Sequence, residues 1–431
     1  MPTRVPSSVA SRSHRQRPRL VGALGLIVIS LALILAGCAS PSANSPTSST
    51  SVSPTQPSTT SSMVTTSTVP STTSTTTVPP TTSTTTTSCP SAGDVSSWSL
   101  QRLAAQTVVV PVEETDLAAV GPEVSQGVGG VILFGTLAPS DLGTALKNLG
   151  TLAPGGIAPF VMSDEEGGVV QRMANLVGSI PSAREMGATM TPAQIRLLAT
   201  NLAVRMRQAG VTMDLAPVLD VDGGQGPNNQ DPDGTRSFSA DEKVASKDGL
   251  AFAEGLQAGG VVPVLKHFPG LGGATGNTDV MPASTPSLAT LRRAGLVPFE
   301  DGIKAGLPAV MIANASVPGL TTMPASISSN VITGLLRDQL GFTGLVITDS
   351  LSAVSLSAIG YSVPAATVAA LEAGADMVLF DADESQVASL TAAIEAAVVQ
   401  AVDSGGLSRA QLVSAVTHVL TAKGVQVCSA G

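Results

Sequence analysis

"VPVLKHFPGLGGATGNTD", Val262 to Asp279, joins two kinds of sequence. Its first half is a short apolar run with β-branched residues, which reads as a buried strand. The run ends in Lys266 and His267, and a glycine-rich loop follows. A strand that is apolar along its length and charged at its C-terminal end suits a parallel barrel, whose functional groups stand at that end. Seven other runs share the plan: "TVVVPV" (107–112), "GVILFG" (130–135), "PFVMSD" (159–164), "VTMDLAPV" (211–218), "PAVMIAN" (308–314), "GLVITD" (344–349) and "ADMVLF" (375–380). Ala/Leu-rich segments of helical length separate most of them. In "TPAQIRLLATNLAVRMRQAG" (191–210), Thr191 is the expected N-cap, Pro192 the first helical residue and Gly210 the stop. "DEKVASKDGLAFAEGLQAGG" (241–260) and "SLATLRRAGLVPFEDGIKAG" (287–306) read as further helices. Strand–helix alternation implies a parallel sheet. Eight alternations imply an α/β fold of the (β/α)8 TIM-barrel type. A doubly wound open sheet is the alternative, but no glycine-rich phosphate loop follows the first run.

The polar residues at the strand ends are the candidate site. Asp164 closes the third run and is followed by Glu165, Glu166 and Arg172. The long segment after the fourth run carries Asp220, Asp222 and Arg236. Lys266 and His267 close the fifth run, Asn314 the sixth and Asp349 the seventh. Buried charges are costly unless they are paired or functional. One such residue is as readily a structural ion pair as a site; four consecutive strands ending this way favour a site. Carboxylates, cations and amides together suit a polyhydroxylated ligand. No metal or other cofactor is expected, because "EEGG" lacks metal-ligand spacing and no His/Cys cluster occurs. The histidines are His14, His267 and His418, so no Ser/His/Asp set is visible; His418 reads as a packing or surface residue of the last helix.

The chain divides before this region. Arg4, Arg12, Arg15, Arg17 and Arg19 precede an uncharged apolar run (20–36) that ends Leu35-Ala36-Gly37-Cys38. This is a secretory signal pattern, with an ordinary signal peptide or an uncleaved anchor as the alternatives. Residues 39–88 are almost all Ser, Thr and Pro, without charge, and read as a disordered tether. The folded domain is then 89–431. Removing five signal arginines leaves 17 basic against 31 acidic residues, a net charge of −14. That argues against nucleic acid and against binding to anionic lipid through charge. Cys89 and Cys428 bracket the domain and are expected to form a disulfide, as suits an exported chain. A monomer is expected.

The pieces "MSDEEGGVVQRM", "DLAPVLDVD", "GTRSFS", "KHFPG", "VMIANASVP", "PASIS" and "GLVITDSL" resemble glycoside hydrolase family 3, in its single-domain branch of β-N-acetylglucosaminidases. They occur in family order and span about 100–380. Leu-Ala-Gly-Cys likewise resembles the bacterial lipobox, in which the cysteine, here Cys38, is lipidated and becomes the new N-terminus. The resemblance implies a lipid-anchored protein on the outer face of the bacterial cell membrane. It implies retaining hydrolysis, with Asp349 as the nucleophile that forms a covalent glycosyl-enzyme. It also implies that Asp164, Arg172, Arg236, Lys266 and His267 hold the sugar.

The departures lie mainly in the loop after the fifth run. The branch carries a general acid/base histidine there, oriented by an aspartate. Here Leu271 replaces one histidine of "KHFPGHG", Asn277 stands for the orienting aspartate, and Asp279 for the catalytic histidine. Ser350, Val169 and Asn314 also replace an aspartate, an arginine and a histidine. Asp279 is still a carboxyl, the group most retaining glycosidases use, and it needs a raised pKa to work near neutral pH. Glu165 and Glu166 are the other acid candidates. Trp98 and Tyr361 are the sole Trp and Tyr and read as packing residues rather than sugar platforms. Two functions stay open: an exo-acting retaining β-glycosidase on small or cell-wall-type β-glycosides of the β-N-acetylhexosaminide kind, and a non-catalytic surface lipoprotein that holds saccharides or muropeptides.

Overall fold

The structure, a computed structural model, describes residues 92–427. The signal (1–38) and the tether (39–88), and with them Cys38, Cys89 and Cys428, lie outside the described residues. Eight parallel strands form one sheet: β1 (Val108–Glu113), β2 (Gly130–Phe134), β3 (Phe160–Ser163), β4 (Met213–Asp214), β5 (Val262–Phe268), β6 (Ala309–Ile312), β7 (Leu345–Thr348) and β8 (Val378–Leu379). Each pairs with its sequence neighbour, β8 returns to β1, and a parallel bridge between Ile347 and Met377 joins β7 to β8. A helix follows every strand, which makes the sheet the expected (β/α)8 barrel.

The strands are short, and their side chains alternate between the barrel interior and the helix layer. Val109, Ile132, Met162, Met213, Val264, Met311 and Ile347 belong to one apolar cluster inside the barrel. Their neighbours Val108, Val110, Val131 and Val161 belong to a second cluster under the helices. β4 is paired over only two residues of the run 211–218, with a single further bridge at Val218. Pro217 has no N–H to donate, which interrupts the ladder there.

The helix Pro192–Gln208 begins as expected, with a capping box between Thr191 and Gln194. It crosses Glu242–Ala258 closely: a Cβ on Gly255 would stand 2.5 Å from the carbonyl oxygen of Arg196. The segment 287–306 differs from expectation. It forms two helices, Leu288–Leu291 and Val297–Lys304, and Pro298 sits in the first turn of the second. Proline cannot continue a helix through its interior but suits a helix start. The helix Glu384–Ser404 is long and apolar enough to cross a membrane by length and composition. Here it buries Val387, Thr391, Ile394 and Val398 against the domain.

Candidate active site

The site lies at the C-terminal mouth of the barrel. Asp164, Arg172, Arg236, Lys266, His267, Asp279 and Asp349 all line one cavity of about 500 Å³. The sequence placed these residues on five separate loops and strand ends; folding brings them to one wall.

At the end of β3 the chain turns into a small hairpin, Glu165–Gly167 with Val170–Gln171. Gly167 has φ +95° and packs on Pro181, whose carbonyl oxygen a Cβ would meet at 2.3 Å. The hairpin sends its two glutamates to different tasks. Glu165 turns inward, accepting hydrogen bonds from Ser163 Oγ (2.8 Å), Met173 N (3.0 Å) and Arg172 N (3.1 Å). Burial raises its pKa to about 7. Glu166 points to the cavity, where Arg236 forks onto it through Nε and Nη2, each at 2.8 Å. Lys266 Nζ reaches the same carboxylate at 2.7 Å and Asp164 at 2.8 Å. Burial alone would raise the pKa of Glu166, but these two cations hold it well below the usual carboxylate range. Glu166 is therefore a fixed anion, and Glu165 is bound to the hairpin backbone. Neither is arranged to act as the acid, which corrects their standing as candidates.

The acid–cation lattice fixes the polar floor. Arg172 approaches Asp164 at 3.6 Å and lies over the Phe134 ring. His267 Nδ1 is 2.7 Å from Asp220 Oδ2, and the same oxygen accepts the His267 backbone N–H at 3.0 Å. Burial, then the Arg236 charge, lowers the His267 pKa to about 4. The imidazole is thus neutral near pH 7, and its contact with Asp220 is a hydrogen bond rather than an ion pair.

Asp349 follows β7 and accepts the Ser350 N–H at 2.7 Å. Asn314, at the end of β6, donates to the Ser350 carbonyl at 2.6 Å and accepts from Ser326 Oγ at 2.6 Å. An amide thus braces the turn that carries Asp349. Opposite stands the loop after β5. Leu271, where the resemblance expects histidine, is buried with Ala274, Ala313 and Ala315 and pins the start of that loop. Further on, Ser355 N donates to the Thr278 carbonyl at 3.0 Å, docking the loop onto the segment after β7. This brings Asp279 to the cavity that Asp349 lines, with the Asp279 residue as a whole exposed to solvent. Burial raises the pKa of both carboxyls, and each has an acidic neighbour that raises it further: Asp279 for Asp349, and Asp381 for Asp279. His267 and Lys266 oppose the rise at Asp349, and Arg236 opposes it at Asp279.

Three carboxylates escaped the sequence reading. Asp214, at the end of β4, is fully buried and accepts the Glu165 N–H at 3.0 Å. Asp233, in the long loop after β4, is also fully buried. Asp381 lines the cavity two residues past β8, close to the position that Asp349 holds directly after β7. The rule that selected Asp349 would have selected Asp381 as well. His418 and Trp98 are packing residues as expected. His418 meets Asp376 at 2.8 Å, and Trp98 is buried with Arg102 stacked over its ring.

With this geometry in view, comparisons with known proteins place the chain. Residues 114–422 match the model of the glycosyl hydrolase family 3 N-terminal domain. The chain is 35% identical over 333 residues to β-hexosaminidase LpqI of Mycobacterium tuberculosis, covering 74% of this chain and 81% of that protein. A glycosyl hydrolase family 3 structure from Mycobacterium smegmatis superposes with a TM-score of 0.69 at 34% identity, covering 76% of this chain and 98% of the other. The β-N-acetylhexosaminidase structure from Beutenbergia cavernae gives 0.69 at 32% identity, covering 77% and 100%. The family match covers β2 to β8 and the strand ends that line the cavity: the chain belongs to glycosyl hydrolase family 3.

Proposed function

We propose that the chain is a retaining, exo-acting glycoside hydrolase of the β-N-acetylhexosaminidase type. Asp349 attacks the anomeric carbon and forms a glycosyl-aspartate. Asp279 protonates the departing oxygen, then takes a proton from the water that releases the sugar. Asp164, Arg172, Arg236, Lys266 and His267 hold the sugar hydroxyls. The observation that carries this reading is two carboxyls lining one cavity, Asp349 just past β7 and Asp279 on the loop after β5, each with its pKa raised by burial. Lys266 and the Ser350 N–H oppose the rise at Asp349, which favours the anion a nucleophile needs. The relatives named for β-hexosaminidase activity support the sugar class. A cavity of about 500 Å³ with no Trp or Tyr in its wall supports a single terminal sugar rather than a long polymer.

The lipobox-like Cys38 and the Ser/Thr/Pro tether support a lipid-anchored protein of the cell envelope that acts on cell-wall-type β-glycosides. A saccharide-binding protein without turnover is the second reading, favoured by the histidine replacements at Leu271 and Asp279. The test is covalent trapping. The full chain in detergent is incubated with a 5-fluoro N-acetylglucosaminyl fluoride, digested and sequenced by mass spectrometry. A fluoro-sugar on the Asp349 peptide, absent in Asp349→Ala, supports the enzyme. Binding without any adduct overturns it in favour of the second reading.

A further inference from the structure

Beside the sugar-holding residues, and sharing His267 with them, is a cluster whose two aspartates, Asp220 and Asp233, the reaction does not use. Asp233 is fully buried, and neither of its carboxylate oxygens has a hydrogen-bond partner. Burying a carboxylate with no partner is costly, so such a group calls for a proton or a cation. The nearest cation is Arg236, whose Nη1 stops 3.8 Å away because the guanidinium is committed to Glu166. Asp233 Oδ1 instead faces His267 Nδ1 at 3.9 Å, and His267 Nδ1 lies 2.7 Å from Asp220 Oδ2. One ligand atom from each of these three buried residues lies within 4.8 Å of the others.

We propose that Asp220, Asp233 and His267 form a buried site for one divalent transition-metal ion of the zinc class. Two carboxylate oxygens and one imidazole nitrogen are a donor set such ions accept. Ligand atoms at about 2.0–2.2 Å from zinc stand roughly 3.4 Å apart in a tetrahedron. The observed separations of 2.7 Å (His267 to Asp220) and 3.9 Å (His267 to Asp233) lie on either side of that value, so seating the ion opens the first and closes the second by about 0.5–0.7 Å. Asp233 offers its second oxygen, or a water takes the fourth position. The ion displaces the proton that His267 Nδ1 shares with Asp220. It neutralises the orphaned carboxylate and ties the loop after β4, which carries Asp220, Asp233 and Arg236, to the end of β5. The site therefore bears on the rigidity of the sugar pocket and not on proton transfer. Sequence spacing gave no hint of it, because the three ligands stand 13 and 34 residues apart along the chain, at positions 220, 233 and 267.

The test uses the full chain in detergent, stripped with a chelator and dialysed. Zinc is titrated by calorimetry, and thermal unfolding is followed with and without it. One equivalent bound and a midpoint raised by several degrees are expected, with both effects lost in Asp233→Asn. Absence of zinc binding, or binding unchanged in Asp233→Asn, overturns the proposal. Should Asp233→Asn fail to fold, anomalous scattering at the zinc edge from wild-type crystals decides. A peak among Asp220, Asp233 and His267 supports the site; a peak elsewhere, or none, overturns it.

Discussion

Asp279→Asn separates the acid from the nucleophile. The change keeps the size of the side chain and removes the only proton Asp279 can give. Burial and Asp381 hold this carboxyl above its ordinary pKa, with Arg236 opposing, so it keeps its proton to higher pH than a free carboxyl does. A group so poised supplies about 10²–10⁴-fold in rate when the leaving group needs a proton. That is about 2.7–5.4 kcal/mol of barrier. An alkyl β-N-acetylglucosaminide leaves as an alkoxide and should lose this whole factor in kcat/KM. A dinitrophenyl glycoside departs unaided, so its kcat/KM should change little. Its kcat should still fall, because the same residue is the base for the second step. Stopped-flow measurement should then show a burst of dinitrophenolate, and azide should restore turnover by attacking the glycosyl-enzyme without a base. The pH profile checks the sign. In the wild type, activity on the alkyl glycoside falls as pH rises through the raised pKa of Asp279, and Asp279→Asn should lose that alkaline limb. An equal loss on both substrates would mean a damaged pocket rather than a missing acid. No loss on either would refute the assignment.

Glu166→Gln should leave Lys266 and Arg236 as buried cations with half their partner charge gone, costing about 3–5 kcal/mol; urea unfolding of the full chain in detergent checks it, and a change under about 1 kcal/mol would contradict the lattice described. Stability should depend on pH in a defined direction. Glu165 and Asp220 have folded pKa values raised to about 7 from 4.5 and 3.8, so the folded state binds protons more tightly there. Their contribution is full below pH 4 and is lost as pH rises through about 7. His267, lowered from 6.5 to about 4, acts oppositely and trims the gain below pH 6. Lys423, lowered from 10.5 to about 7, adds stability as pH rises above 7 and so limits the window. The thermal midpoint should therefore fall between pH 5.5 and pH 7, and a rise over that range would contradict the burial of the two carboxyls. Asn314→Ala removes the brace on the Ser350 carbonyl. It should lower kcat on alkyl and dinitrophenyl glycosides alike, since it displaces the nucleophile and not the acid; steady-state rates on the two substrates check this.

The barrel and most of its site were legible along the chain because both depend on local order. Short β-branched apolar runs bounded by Gly, Pro or Asp, such as 107–112 and 344–349, read as buried strands, and a parallel barrel gathers whatever stands at their C-terminal ends. Asp164, Lys266, His267 and Asp349 were found that way, and Arg236 by its motif. What the chain order could not decide was the direction of side chains and the company they keep. Glu165 and Glu166 are adjacent, yet one faces the hairpin backbone and the other two cations. Leu271 read as the loss of a motif histidine and is an apolar anchor for its loop. The segment 287–306 kept a helical composition and broke at Gly295 and Pro298. Asp220, Asp233 and His267 meet only because the loop after β4 folds back on the end of β5. Period and strand ends are properties of neighbours in sequence; charge pairing and ligand sets are properties of neighbours in space, and only the closed barrel made those residues neighbours.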